Sequence, residues 1–121
     1  MVQKGKILIA DRNRHVRDFL QREFLSEGYE ALVARDGLEV RSFINGDDPP
    51  DLLILDLELP FLDNLELLAQ LQSRQRPLPI IIHTFLGDEA IPLPEWPGAR
   101  RVEKAENPAH LKAAVAEIMR T

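Results

Sequence analysis

The chain has 121 residues, no cysteine, and 15 basic against 20 acidic side chains, a net charge of −5. That length fits one domain able to bury a core without cross-links, and the lack of cysteine excludes disulfides and thiolate metal centres. The negative balance removes the attraction that dominates phosphate-backbone binding, and no apolar run reaches the ~18 residues of a membrane helix or the ~7–15 of a signal-peptide core, so a cytoplasmic protein with no direct nucleic-acid or membrane partner is expected.

Ile7-Leu8-Ile9-Ala10 has the length and apolar content of a buried strand, and Asp11 follows it. Asn13 or Asp11 can cap the next helix, in which Val16, Leu20 and Phe24 recur every four residues with Phe19 beside them. Gly28 ends that helix as a C′ residue. Tyr29 to Ala34 reads as a second strand, and Asp36-Gly37 as a turn into a helix over 38–44. Pro49-Pro50-Asp51 then breaks the chain before Leu52-Leu53-Ile54-Leu55. That run is apolar without alternation, so it belongs at the centre of a sheet covered on both faces.

Leu65, Leu68 and Leu71 mark a third helix running to about Gln75, stopped by Pro77 and Pro79 ahead of a strand from Ile80 to Thr84. From Phe85 to Gly98 the periodicity fails, since Pro92, Pro94 and Pro97 would each cost ~3 kcal/mol inside a helix. At most 88–91 forms a helical turn. Residues 101–103 suit a short edge strand, and Asn107-Pro108 suits the N-cap and first position of a last helix carrying Leu111, Val115 and Ile118. Strand-length runs alternating with helical ones predict βαβ units on a parallel sheet.

Three charged residues follow apolar runs: Asp11, Asp56 and Lys104. On parallel neighbouring strands such residues meet outside the carboxyl ends, where ligands gather at the reversal of strand order. Asp56 is expected at an exposed strand tip. His15, His83 and His110 have no spacing that gathers them on one metal, and packing or surface roles are expected for them. Trp96 is read as an anchor of its own loop, and Arg74, Arg76, Arg100 and Arg101 as a solvated basic rim.

Taken in order, Ile7-Leu8-Ile9-Ala10-Asp11, Gly28-Tyr29, Asp36-Gly37-Leu38-Glu39, Pro50-Asp51-Leu52-Leu53-Ile54-Leu55-Asp56, Leu59-Pro60, Pro79-Ile80-Ile81, Thr84, Gly98-Ala99 and Lys104 resemble the receiver domain of two-component response regulators. The resemblance covers almost the whole chain. It implies a flavodoxin-like (βα)5 three-layer sandwich with a five-stranded parallel sheet, here with the fourth helix short or irregular. It also implies that Asp56 accepts a phosphoryl group from a sensor histidine kinase or phosphotransfer protein, assisted by Mg²⁺. Lys104 matches the family's lysine and Thr84 the hydroxyl that donates to a phosphoryl oxygen. Output would pass to a downstream protein by contact or arise through a homodimer, because residues 1–121 are read as a single receiver domain without an effector domain.

Several positions depart from the family pattern. Where an acidic pair is usual, this chain has Asp11-Arg12, which exchanges an expected metal ligand for a permanent cation. Arg12 is expected to fold inward and pair with Asp56 or Asp11 in place of the metal; alternatively it swings to solvent, leaving Asp11, Asp56 and Glu58 as a weakened ligand set, or does nothing specific. Asn64 stands where glycine is usual, and as asparagine it tolerates a left-handed backbone. Ala105 replaces a proline that usually follows the lysine through a cis bond, so the Lys104–Ala105 link is strained or trans, and if trans Lys104 can be re-aimed. Phe85 is expected to crowd the site entrance, and Arg101 or Val102 falls at the position of an aromatic switch residue. A degenerate receiver serving as a phosphorylation-independent interaction module is the alternative function. Further alternatives are a flavin-phosphate binder, which lacks the needed Ser, Thr or Gly loop, and a phosphatase using Asp56 with Glu58, which lacks a cap domain.

Overall fold

The computed structural model describes residues 4–85 and 99–120. Its elements are β1 (Lys6–Ala10), α1 (Arg14–Ser26), β2 (Glu30–Ala34), α2 (Gly37–Ile44), β3 (Leu52–Leu55), α3 (Asn64–Gln72), β4 (Ile80–Thr84), β5 (Arg100–Glu103) and α4 (Ala109–Met119). All strands pair in parallel, in the order β2-β1-β3-β4-β5. The predicted helical turn at 88–91, the loop anchor Trp96 and the prolines around it lie outside the described residues.

Successive side chains of a strand point to opposite faces, and the core divides accordingly. Leu8, Leu53, Leu55, Ile80 and Ile82 pack with Val40 and Ile44 of α2 and with Leu67 and Leu71 of α3. Ile7, Ile9, Leu52, Ile54 and Ile81 pack with Leu20 and Phe24 of α1 and with Leu111 and Val115 of α4. This is the three-layer sandwich expected from an unalternating central strand: every residue of β1, β3 and β4 is buried.

Local chemistry explains most element ends. Asn13, rather than Asp11, caps α1 by accepting from the amides of His15 and Val16. Gly28 follows that helix at φ 98°, a conformation that glycine adopts without a Cβ penalty. Asp36 and Asp63 cap α2 and α3 by accepting from the amides of Glu39 and Glu66. Helix α3 stops at Gln72, short of the expected Gln75, with Ser73 as its C-cap.

Two boundary expectations need correction. Pro108, not Asn107, is the N-cap of α4, although Asn107 still accepts from the Ala109 amide at 2.9 Å. Among the described residues the left-handed non-glycine is Phe61, at φ 58°, whereas Asn64 is the first residue of α3. The Phe61 loop rests on Gly37, whose amide donates to the Pro60 carbonyl at 2.8 Å and where a Cβ would collide with the Phe61 carbonyl.

Candidate functional site

The sheet fixes the charged residues by carrying its hydrogen-bond ladder past the strand ends. The Asp11 amide donates to the Ala34 carbonyl at 3.1 Å, the Asp56 amide to Ala10 at 2.9 Å and the Lys104 amide to Thr84 at 2.5 Å. Ala10 and Leu55 are register partners, so Asp11 and Asp56 emerge side by side where β1 turns towards β2 on one flank and β3 on the other. This is the reversal of strand order at which open α/β sheets bind ligands. Lys104 keeps its aim through the same ladder although the Lys104–Ala105 peptide is trans.

Lys104 lies with its Nζ 3.0 Å from Asp11 Oδ2 and 3.5 Å from Asp56 Oδ2. Arg12 completes the cluster, with Nε 3.5 Å from Asp56 Oδ2 and a terminal guanidinium nitrogen 2.5 Å from Glu58 Oε2. The Arg12 amide also donates to Asp56 Oδ2 at 3.3 Å, and the Glu58 amide to Asp56 Oδ1 at 3.0 Å. The side chains of Asp11, Asp56 and Lys104 are 2%, 5% and 7% exposed, against 39% for Arg12. Asp56 is therefore at a strand end but under a cover, not at the exposed tip the sequence suggested. Two buried carboxylates facing one ammonium leave an excess negative charge, and the half-exposed Arg12 offsets part of it at Asp56 while it also pairs with Glu58.

Asp11 holds its own loop as well. Its Oδ1 accepts from the Asn13 amide at 2.8 Å, and its carbonyl accepts from Arg17 at 2.8 Å. Its Oδ2 is buried and faces the Lys104 ammonium at 3.0 Å, without a well-angled hydrogen bond among the described residues.

Thr84 ends β4 and is buried, and its hydroxyl accepts from Arg101 Nε at 3.4 Å. Of the two residues at the expected switch position, Arg101 contacts that hydroxyl while Val102 turns into the core. Phe85, half-exposed, stacks over the Lys104 ammonium, with Nζ 4.8 Å from the ring centroid. The ring holds the lysine by a cation–π contact. His83, in the middle of this environment, is buried with an unpaired Nδ1. Burial first, and the Lys104 charge second, push its pKa down to about 4, so it is neutral at pH 7.

Of the arginines read as a basic rim, Arg76 and Arg101 are exposed and Arg74 and Arg100 partly buried. Arg74 binds the Ile44 carbonyl at 3.0 Å, Arg100 pairs with Glu117 at 2.8 Å, and Arg101 reaches Thr84. A signal the sequence did not offer was the pairing of Glu58 with Arg12, since neither residue has a periodic or capping role that would tie them together.

A divalent cation does not fit this arrangement. Among the described residues no group of three His, Asp or Glu side chains is placed to hold a metal. The oxygens named for one are engaged: Asp56 Oδ2 by Arg12 and Lys104, and Glu58 Oε2 by Arg12. Asp11 Oδ2 faces the Lys104 ammonium at 3.0 Å. Two unit charges ~4 Å apart interact by ~4 kcal/mol at an effective dielectric near 20, and a divalent ion beside the guanidinium would meet about twice that repulsion.

Residues 7–116 match the family model of the response regulator receiver domain. The response regulator MprA of Mycobacterium avium is 42% identical over 79 residues, and MprA of Mycobacterium tuberculosis 40% identical over the same length. Each match spans 65% of this chain but only 34% of the relative. FixJ from B. japonicum superposes on 98% of this chain and 59% of its own, with a TM-score of 0.81 at 27% identity. TrrA from Thermotoga maritima, solved in complex with Mg²⁺-BeF, superposes on 93% of this chain and 97% of its own, with a TM-score of 0.77 at 30% identity. With its flavodoxin-like sheet order and its acidic pocket at the carboxyl ends of β1 and β3, this chain belongs to the receiver domains of two-component response regulators.

Proposed function

We propose that Asp56 accepts a phosphoryl group from a sensor histidine kinase or a phosphotransfer protein, and that the domain signals by protein–protein contact in its phosphorylated form. A carboxylate oxygen of Asp56 forms the new P–O bond as the P–N bond of a phosphohistidine breaks, and the imidazole nitrogen keeps the electron pair and takes up a proton. Such transfer needs positioning and neutralisation of charge on three equatorial oxygens. Lys104, beside Asp56, neutralises part of that charge, and the Thr84 hydroxyl donates to a phosphoryl oxygen once it leaves Arg101. The domain assists only its own phosphorylation and dephosphorylation. A concavity of about 500 Å³ beside the site, lined by Val16, Phe19, Leu20 and Phe85, offers a donor protein an apolar seat.

The observation that carries this reading is the pairing of the Asp56 carboxylate with Lys104 at the reversal of strand order. Incubation with phosphoramidate followed by intact-mass measurement tests it. One phosphoryl adduct on the native protein and none on Asp56→Asn is the expected result. An interaction module that is not phosphorylated is the second reading, favoured by the Arg12–Glu58 cover over Asp56; it predicts no adduct on either protein.

A further inference from the structure

We infer that Arg12 is the working cation of this site: held by Glu58, its guanidinium takes the place a divalent ion would occupy, and Asp56 is phosphorylated without metal. This rests on Asp56 being the acceptor. It follows from where the charges lie, because the guanidinium bridges Asp56 Oδ2 and Glu58 Oε2 while Lys104 is already divided between Asp11 and Asp56. A phosphoryl group arriving at Asp56 adds negative charge that one shared ammonium does not neutralise. The guanidinium is planar, always charged and forked, so it can leave Asp56 Oδ2 and donate to two phosphoryl oxygens without losing its charge.

Glu58 is the positioning residue. Its amide holds Asp56 Oδ1 at 3.0 Å while its carboxylate holds Arg12, so acceptor and cation are fixed from one residue. With Arg12 39% exposed, the cation sits between the buried carboxylate and the solvent from which a donor approaches. The transfer balances without a further co-reactant: the P–N bond of the donor breaks, the P–O bond on Asp56 forms, and the leaving nitrogen is protonated from water.

The test follows phosphorylation of the full chain by phosphoramidate, using intact mass in EDTA and in MgCl2, alongside calorimetric titration with MgCl2. The native protein is expected to be phosphorylated at similar rates in both buffers and to give no Mg²⁺ binding heat. Arg12→Ala should slow the reaction in EDTA by ~10²-fold, the scale of one lost transition-state donor. Arg12→Lys should fall between the two, and if Arg12→Ala proves unfolded by circular dichroism this variant carries the comparison. Arg12→Asp should bind Mg²⁺ and depend on it for phosphorylation. Glu58→Ala should slow the EDTA reaction while Glu58→Gln, whose amide oxygen still accepts from Arg12, retains most of it. Phosphorylation of the native protein only with Mg²⁺, or Mg²⁺ binding as tight as in Arg12→Asp, overturns the inference and leaves Asp56 standing as acceptor. No adduct in either buffer overturns both.

Discussion

Lys104 at the carboxyl end of the sheet and Lys6 at its amino end each face two acids, but in different surroundings. Lys104 pairs with Asp11 and Asp56, whose side chains are 2% and 5% exposed. Lys6 pairs with Glu30 and Asp48, at 39% and 86%. At the amino end the buried polar work is done by the backbone: Asp51 Oδ2 accepts from the Lys6 amide at 2.8 Å, and the Asp51 amide donates to the Lys6 carbonyl at 2.8 Å. Those ties are closed and local, and they fasten the loop entering β3. At the carboxyl end Asp11 Oδ2 meets Lys104 without a well-angled hydrogen bond among the described residues, and Arg12 over Asp56 is 39% exposed. Charge is held in both places, but at the amino end a buried lysine meets solvated acids, whereas at the carboxyl end the acids themselves are buried, and desolvated carboxylates are what chemistry can use.

Substituting the two lysines separates these roles. Lys104→Met strands buried carboxylates without their main partner, and breaking a buried pair in this way costs ~3–5 kcal/mol. Urea unfolding should show that loss as a lower midpoint at unchanged slope, and the phosphoryl adduct should be lost with it. A midpoint within experimental error of the native value would mean that the carboxylates at this end are as well solvated as those around Lys6.

His83 offers a second probe of the desolvated end. Its pKa falls from 6.5 unfolded to about 4 folded. Between those values the unfolded chain binds a proton that the folded chain refuses, so stability drops as pH falls through that window. The difference saturates below about pH 4 at roughly 3 kcal/mol. In His83→Leu this contribution disappears, so the stability difference between variant and native protein should change across pH 6.5 to 4 and stay flat above 7. Parallel pH profiles would show that His83 is not held in a low-dielectric site.

Much of this contrast was readable from residue types. Unbroken apolar runs located β1, β3 and β4, and the charged residues that follow apolar runs located Asp11, Asp56 and Lys104. For Lys104 that signal was weak, since its strand is short and only half-buried, and its order among the other motif residues supplied its role. The inward turn of Arg12 onto Asp56 was expected from its charge, but its second partner, Glu58, was not. Arg12 also pairs with Glu58, which precedes a loop whose left-handed residue is Phe61, not the asparagine that sequence preference indicated. Side-chain pairing across two loops leaves no periodic trace, and the fate of Thr84 is similar: its link to Arg101 crosses from β4 to β5 and could be resolved only once the facing side chains were known.

The smallest effect is expected at the amino end. Lys6→Met removes ion pairs between a lysine that is 11% exposed and two acids, Glu30 and Asp48, that are open to solvent, so the loss should lie near the ~0–1 kcal/mol of exposed pairs. The Lys6 backbone bonds to Asp51 persist in the variant, and the methionine side chain keeps most of the apolar stem that packs at the strand start. The urea midpoint should shift little, and added salt should shrink what difference remains because solvent-exposed charges are screened. The rate of Asp56 phosphorylation should not change, as Lys6 stands at the opposite end of β1. If Lys6→Met proved as damaging as Lys104→Met, burial at the carboxyl end would not be what sets its charges apart, and the distinction between a fastening ion cluster and a reactive one would have to rest on something other than desolvation.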